Sequence, residues 1–471
     1  ISALLMGGML AVSGWAEDTK PEPYSPELVK KAEAGNAVAQ YDLGLWYCSG
    51  KGVTQDSEEG VKWFTKSAEQ GNAKAQCWLG LAYCSGEGGT QDFKEAVKWY
   101  TKSAEQGNAK AQFYLGRCYA NGEGVTQDYK EAVKLWTKSV EQGNAEAQYD
   151  LGLCYNSGRG VTEDKKEAVK WLTKSAEQGY ATAQFNLGGC YYKGTGVDKD
   201  EKEAVKWLTK SAEQGNAEAQ YSLGVCYKNG QGVGKDEKEA VKWFIKSAEQ
   251  GNSFGQKVLG FSYYEGKGVT QNYEEAVKWF RKSAGQGNAE AQRLLGLSFY
   301  RGEGVAKDEK EAFKWITKAA EQGDEDGQFI LGCAYYNGTG VGKDEKEAVK
   351  WFTKSAEQGF ATAQFNLGWC YKNGQGVGKD EKEAVKWFTK LSSLTPKTKG
   401  SSDNYFIGLG SLETGNFKKA KQALLLAGNN YGPTAENIRP EHMRLINSSD
   451  PWGAFVLQIL DKGGSIIGTG F

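Results

Sequence analysis

Between residues 36 and 395 the chain repeats one pattern of apolar and polar positions. A Gln, preceded by Gly255 and Gly327 in two copies and by Ala in the others, stands at 40, 76, 112, 148, 184, 220, 256, 292, 328 and 364, each 36 residues from the last. In the copy around Gln364, Ala363, Leu367, Gly368 and Tyr371 recur at the three- and four-residue spacing of one helix face. The polar run NGQGVGKD follows, and its Gly374 and Gly376 suit the positive φ at which a helix stops. A second helix starts at Asp380, with Glu383 three residues on, the spacing at which two side chains each take an unpaired N–H. Every copy has this pair, from Asp56/Glu59 and Asp92/Glu95 to the Asn version, Asn272/Glu275. Most copies close with AEQG, whose Gly71, Gly107 and equivalents fit the position just past a helix end. Each unit is therefore helix A, glycine turn, capped helix B, glycine turn. Two helices cannot bury their apolar faces alone, so units must stack. The pattern predicts an all-α solenoid of ten 36-residue helix-turn-helix repeats over 36–395. A lone capping helix at 25–35 precedes it, because SPELVKKAEAGN matches the end of helix B. Pro396 and the linker at 396–404 stop it.

The 63 glycines are then punctuation and not low complexity. Lys and Glu are interspersed and the net charge is −1, so bulk charge supports neither nucleic-acid nor membrane-surface binding. The recurring G-x-G, as at Gly122/Gly124 and Gly302/Gly304, lacks the third glycine, the preceding strand and the Lys-Ser/Thr of a phosphate loop. The acidic run at 198–203 lacks the central Gly and distal Glu of a calcium loop. No cofactor and no metal site is expected.

The first residues, ISALLMGGMLAVSGWAED, form a short apolar run with small residues at Gly14 and Ala16. They match the apolar region and cleavage site of a secretory signal peptide over 1–16, clipped at its start, since an initiator Met and a basic segment are missing. A buried or anchoring helix is the alternative. The expected location is exported, periplasmic or secreted, and no later stretch has the ~18 apolar residues of a membrane span.

The pattern A-x-x-x-L-G-x-x-Y-x-x-G-x-G-V, then D-x-x-E-A-x-x-W and A-E-x-G, resembles the Sel-1-like repeat family, short relatives of tetratricopeptide repeats. It is met at Ala147, Leu151, Gly152, Tyr155, Gly158, Gly160 and Val161, then Asp164, Glu167, Ala168 and Trp171. The resemblance runs from about residue 25 to 395. It implies a right-handed α/α superhelix that binds proteins or peptides, often as an adaptor and often exported. It implies no reaction.

In stacked hairpins helix A lines the concave side. Positions two, five and nine after the marker Gln point away from the core face, yet several are bulky, apolar and varied. Trp78, Leu81, Tyr114, Leu153, Val258, Phe261, Leu294, Leu297, Ile330 and Trp369 are of this kind, with Arg117 and Asp150 among them. They are the expected protein-binding residues, for an extended or helical partner segment. The Trp series on helix B (63, 99, 171, 207, 243, 279, 315, 351, 387, with Trp136 one position late) reads as an inter-repeat packing stripe.

Five cysteines, Cys118, Cys154, Cys190, Cys226 and Cys370, lie six residues after the marker on stacked A helices, too far apart for disulfides. Cysteine-rich relatives pair the two helices of a repeat, but helix B here has no Cys, so thiols are expected. That fits poorly with an oxidising compartment. The single histidine, His442, cannot make a metal cluster or a triad. No S-x-x-K occurs, so the β-lactamase activity described for some relatives has no serine centre here, and the SDN at 402–404 stands alone.

Residues 405–430 read as two further helices around Thr414–Asn416, resembling a degenerate tetratricopeptide hairpin. Residues 450–471 read as a β-hairpin, AFVLQIL and SIIGTGF around Asp461–Gly464. The stretch from Pro451 resembles the first strands of trypsin-like serine peptidases. That resemblance implies a solenoid serving as the substrate-recruiting or regulatory arm of a peptidase whose His, Asp and Ser all lie beyond residue 471.

Overall fold

The computed structural model describes residues 21–394 except Gly88, together with Ile407, Gly410, Ser411, Thr414 and Lys419. It divides into two compact units, Ile1–Asp236 and Glu237–Phe471. In the first, α1 (Pro26–Glu33) precedes the A helices α2 (Ala37–Ser49), α4 (Ala73–Ser85), α6 (Ala109–Asn121), α8 (Ala145–Ser157), α10 (Ala181–Lys193) and α12 (Ala217–Asn229). They alternate with the B helices α3 (Ser57–Glu69), α5 (Phe93–Glu105), α7 (Tyr129–Glu141), α9 (Lys165–Glu177) and α11 (Glu201–Glu213). The second unit holds the B helices α13 (Glu237–Glu249), α15 (Tyr273–Gly285), α17 (Glu309–Glu321), α19 (Glu345–Glu357) and α21 (Glu381–Ser393). Between them lie the A helices α14 (Ser253–Glu265), α16 (Ala289–Arg301), α18 (Glu325–Asn337) and α20 (Ala361–Asn373). The fold is an all-α solenoid with the predicted period. The leader at 1–16, most of 405–430, His442 and the hairpin at 450–471 lie outside the described residues.

The marker Gln bolts neighbouring B helices together. Gln184 Nε2 donates to the Ala176 carbonyl at the end of α9 (3.0 Å), and its Oε1 accepts from Gln214 Nε2 at the end of α11 (2.7 Å). One buried side chain on α10 thus joins the B helix before it and the B helix after it. Gln76 does the same with Ala68 and Gln106, and Gln328 with Ala320 and Gln358. A second ladder runs beside it: Ser211 Oγ donates to the Ala181 carbonyl (2.7 Å) and Ser355 Oγ to the Glu325 carbonyl (2.8 Å), so each buried B-helix hydroxyl is satisfied at an A-helix start.

The small residue after the core Leu lets a ring lie on the A-helix backbone. A Cβ on Gly80 would stand 2.6 Å from the Tyr100 ring, and one on Gly260 2.7 Å from Phe280. The late Trp136 belongs to this ring series. It fills the slot over Gly116, and its Nε1 donates to the Phe113 carbonyl (3.1 Å). The other tryptophans pack as a stripe: Trp171 joins the cluster of Ala147 and Leu151, and Trp207 that of Ala183 and Leu187. Each carries a Lys over its ring, as Lys66 over Trp63 at 4.0 Å.

Helix A stops on a left-handed glycine, as Gly122 (φ 76°) shows. The B-helix cap departs from the expected reciprocal pair. Asp92 Oδ1 accepts from the N–H groups of Lys94 and Glu95, as expected. The Glu arm does not reach back, because the Asp92 N–H is already donated to the Tyr83 carbonyl (2.9 Å). Glu95 pairs with Lys98 instead (2.6 Å). At the far end, Ile407 is buried against Phe365, Phe388 and Leu391, and a Cβ on Gly410 would stand 2.6 Å from Leu391.

Candidate protein-binding surface

The A helices carry the surface, because their core face is fixed by the Gln–Leu–Gly series and the opposite side chains are free to vary. The twelve predicted residues divide into three groups.

Trp78, Leu81 and Trp369 are interior residues, with 7 %, 6 % and 7 % of their surface exposed. Trp78 stacks on Phe64 with centroids 5.5 Å apart, and it shares a cluster with Leu81, Cys77 and Tyr100. These three are corrected from contact residues to packing residues. A helical wheel shows the direction of a side chain, not how closely its neighbours close over it.

Val258, Phe261, Leu294, Leu297 and Ile330 form the second group. They lie on the consecutive A helices α14, α16 and α18 of the second unit and are all half-buried. Phe261 and Leu294 pack at the edge of the Phe280 cluster, and Ile330 at the edge of the Leu331 cluster. Ion pairs fix the spacing of these helices: Lys257 with Glu290, and Arg293 with Asp324 (3.0 Å) and Asp326 (3.4 Å). Sequence reasoning missed Phe254 on α14, which is 53 % exposed. Its signal was a Phe at a position held by Lys110, Glu146 and Glu290 in other repeats. The row is thus apolar, partly open and braced at its margin by charge.

Tyr114, Arg117, Asp150 and Leu153 form the third group, on α6 and α8 of the first unit, all half-buried. Tyr114 stacks on Tyr100 (5.6 Å), and Tyr149 meets Tyr180 edge-on (5.4 Å). Burial pushes the Asp150 carboxyl up to about 6; the Arg117 charge opposes this and Glu146 adds to it. Burial raises Glu146 as well, against Lys110 and Arg117. A carboxyl whose folded pKa exceeds its unfolded value of ~3.9 costs stability when ionised. That cost is full above pH ~6 and is gone below pH ~4. Asp150→Asn should therefore raise stability at pH 7.5 by on the order of 1–2 kcal/mol and leave it unchanged at pH 4. Thermal unfolding at the two pH values checks this; a loss at pH 7.5 would mean the charge is stabilised by a partner.

All nine cysteines are thiols. Burial pushes Cys48, Cys77, Cys118 and Cys333 up to about 12, so they stay protonated and unreactive near neutral pH. Among the described residues no three metal-ligating side chains converge, and no helix is long and apolar enough to cross a membrane. Two shallow hollows lie where the start of a B helix meets the next glycine turn, one lined by Lys199–Lys202 with Gly230, Gly232 and Gly234, the other by Lys343–Lys346 with Gly374, Gly376 and Gly378. There a Cβ on Gly232 would sit 2.0 Å from the Glu201 carbonyl, so the second glycine serves backbone-to-backbone contact and not phosphate.

The Sel1 repeat profile matches ten consecutive segments, 37–72, 73–108, 109–144, 145–180, 181–216, 217–252, 253–288, 289–324, 325–360 and 361–395. The chain belongs to the Sel1 repeat family. Among solved structures it is similar to a protective antigen present in uropathogenic Escherichia coli strains that displays an SLR fold. That match has 34% identity and a TM-score of 0.68, over 100% of this chain and 99% of the other. It is also similar to a Sel1 repeat protein from Oxalobacter formigenes, at 34% identity and TM-score 0.51, over 69% of this chain and 93% of that one. No curated protein matches. A Sel1 repeat solenoid is a scaffold architecture generally used for protein interaction.

Proposed function

We propose that this Sel1 repeat protein is an exported, non-enzymatic scaffold that binds a protein or peptide on its A-helix faces. The observation that carries the reading is the half-buried apolar row Val258, Phe261, Leu294, Leu297 and Ile330, braced by the Lys257–Glu290 and Arg293–Asp324 pairs. Side chains with no packing duty would be polar there, as Asn186 and Ser222 are at the equivalent position of other repeats. Export rests on the leader-like residues 1–16, and the similarity to a protective antigen supports it. The test is panning of a phage library of random 12-residue peptides on the immobilised full chain. Leu294→Glu with Leu297→Glu should weaken the enriched peptides at least tenfold while the helical circular dichroism is kept. Unchanged affinity would remove the unit-two face from the account.

A second reading makes the solenoid the recruiting or regulatory arm of a serine peptidase. It rests on the strand-like stretch PWGAFVLQILDKGGSIIGTGF at 451–471. Sequencing the coding DNA beyond codon 471 decides it: an open frame with a His, an Asp and a later G-x-S-x-G supports the arm, and a stop codon removes it.

A further inference from the structure

The segment ahead of the first repeat shows how an A helix of this chain holds an extended strand. Residues 21–23 are non-helical, and prolines flank Glu22 on both sides. The Glu22 N–H donates to Asp42 Oδ2 at 3.0 Å, and Trp46 Nε1 donates to the Glu22 carbonyl at 2.8 Å. Two side chains one turn apart on α2 therefore take both main-chain groups of one residue. The Glu22 carboxylate turns away to Lys31 (2.7 Å) and plays no part in the grip. Asp42 stands two residues after its marker Gln and Trp46 six after.

Asp150 on α8 stands at the same position, two after Gln148, and no other repeat has an Asp there. The two carboxylates differ in what they hold. Asp42 is bonded by the Glu22 N–H, and Lys74 offsets its charge. Asp150 makes no hydrogen bond and no ion pair with any described residue, although burial has already removed much of its water. A carboxylate accepts only, so a half-buried one without a donor is an incomplete arrangement.

The Trp46 position on α8 is Cys154, a poor donor, but the adjacent helix α6 supplies a better one. Arg117 has five N–H groups in a fixed fork. Its charge acts on both Asp150 and Glu146, it lies over the Phe113 ring at 5.9 Å, and it forms no ion pair with any described residue. Aromatic rings lie on the same helices: Tyr114, one turn before Arg117, stacks on Tyr100, and Tyr149, next to Asp150, meets Tyr180 edge-on. Aromatic surface of this kind suits a proline-containing strand, which gives up little conformational entropy on binding.

We infer that Asp150 and Arg117 form a second main-chain clamp, which holds an extended, proline-flanked segment of a partner protein across α8 and α6. A peptide N–H of the partner donates to Asp150, and Arg117 donates to a peptide carbonyl. The inference rests on the reading of the A-helix faces as binding surface. It adds the conformation of the partner and the way it is read, through main-chain groups and not through a charged side chain.

The probe is a phage library of 12-residue peptides with a fixed central Pro-Xaa-Pro, panned on the full chain. Enriched peptides are then synthesised and titrated by fluorescence anisotropy. Asp150→Ala should weaken them about tenfold or more, the scale of a lost charge-assisted hydrogen bond. Arg117→Ala should weaken them severalfold, and Asp42→Ala should leave them unchanged. N-methylation of one amide in the Pro-Xaa-Pro core should cost as much as Asp150→Ala, and the two losses should not add. Circular dichroism shows that each variant is folded, and Asp150→Asn, which keeps an acceptor of the same shape, should retain more binding than Asp150→Ala. Peptides that ignore Asp150→Ala but lose affinity with Leu294→Glu and Leu297→Glu would overturn the clamp and leave the scaffold reading intact. Peptides whose affinity follows a Lys or Arg side chain, with N-methylation harmless, would overturn main-chain reading at this site. No enrichment on the full chain, from this library or from the random one, would overturn both readings.

Discussion

Gly124→Ala should destabilise the first unit by about 3–4 kcal/mol, among the largest effects of any single methyl group in this chain. Gly124 has φ +74°, where a side chain strains the backbone by about 1–2 kcal/mol. The added Cβ would also stand 2.2 Å from the Phe93 carbonyl oxygen and 2.5 Å from its carbon. Both atoms belong to the backbone at the start of α5, so no rotamer change relieves the clash. The turn after α6 would have to lift off the previous repeat. Gly107→Ala is the matched control: φ is +87°, but nothing lies within 4 Å of its Cβ. It should cost only the left-handed strain, about 1 kcal/mol. Urea unfolding followed by circular dichroism measures both. Equal losses would mean that the second glycine of the turn is not seated on the preceding B helix.

Gln184→Leu should cost about 2–3 kcal/mol, while Gln364→Leu should cost about 1 kcal/mol or less. Gln184 loses a bond at each end, leaving the Ala176 carbonyl and the Gln214 amide without it. Gln364 also donates to a carbonyl, that of Ala356 (3.0 Å), but its Oε1 is buried without a partner. The position 30 residues on, where other repeats place a Gln, is Leu394. Removing Gln364 therefore deletes one bond and also deletes an unsatisfied acceptor, two effects that offset each other. The difference between the two variants isolates the downstream half of the bolt, and chemical unfolding of both chains reads it. Equal losses would show that the Gln–Gln bond adds nothing.

The period of 36 was legible because it rests on local chemistry: the stopping glycine, the capping Asp and the apolar face each act within a few residues. What depended on distant atoms was not legible. The capping Glu was expected to turn back to its Asp, but the N–H of Asp92 is taken by Tyr83 from the helix before. Trp78 and Trp369 point away from the Leu–Gly face, as their positions say, yet both are buried. The docking of Glu22 on α2 left one trace in the sequence. Trp46 occupies a slot that elsewhere holds Cys, Ala or Ser, and Asp42 lies one turn before it. A large donor and an acceptor set together in a slot of small side chains is the signature of something held there. The role of the marker Gln was also hidden, because its two partners lie 8 and 30 residues away.

The central claim is that partners bind the A-helix faces, and oxidative footprinting of the full chain with an enriched 12-residue peptide tests it most directly. Protection should appear at Val258, Phe261, Leu294, Leu297 and Ile330, or at Tyr114, Tyr149 and Leu153, with Val385 on α21, 54 % exposed, labelled equally with and without peptide. Protection of Val385 and the outer B-helix surface, with the A-helix residues unchanged, would contradict the account.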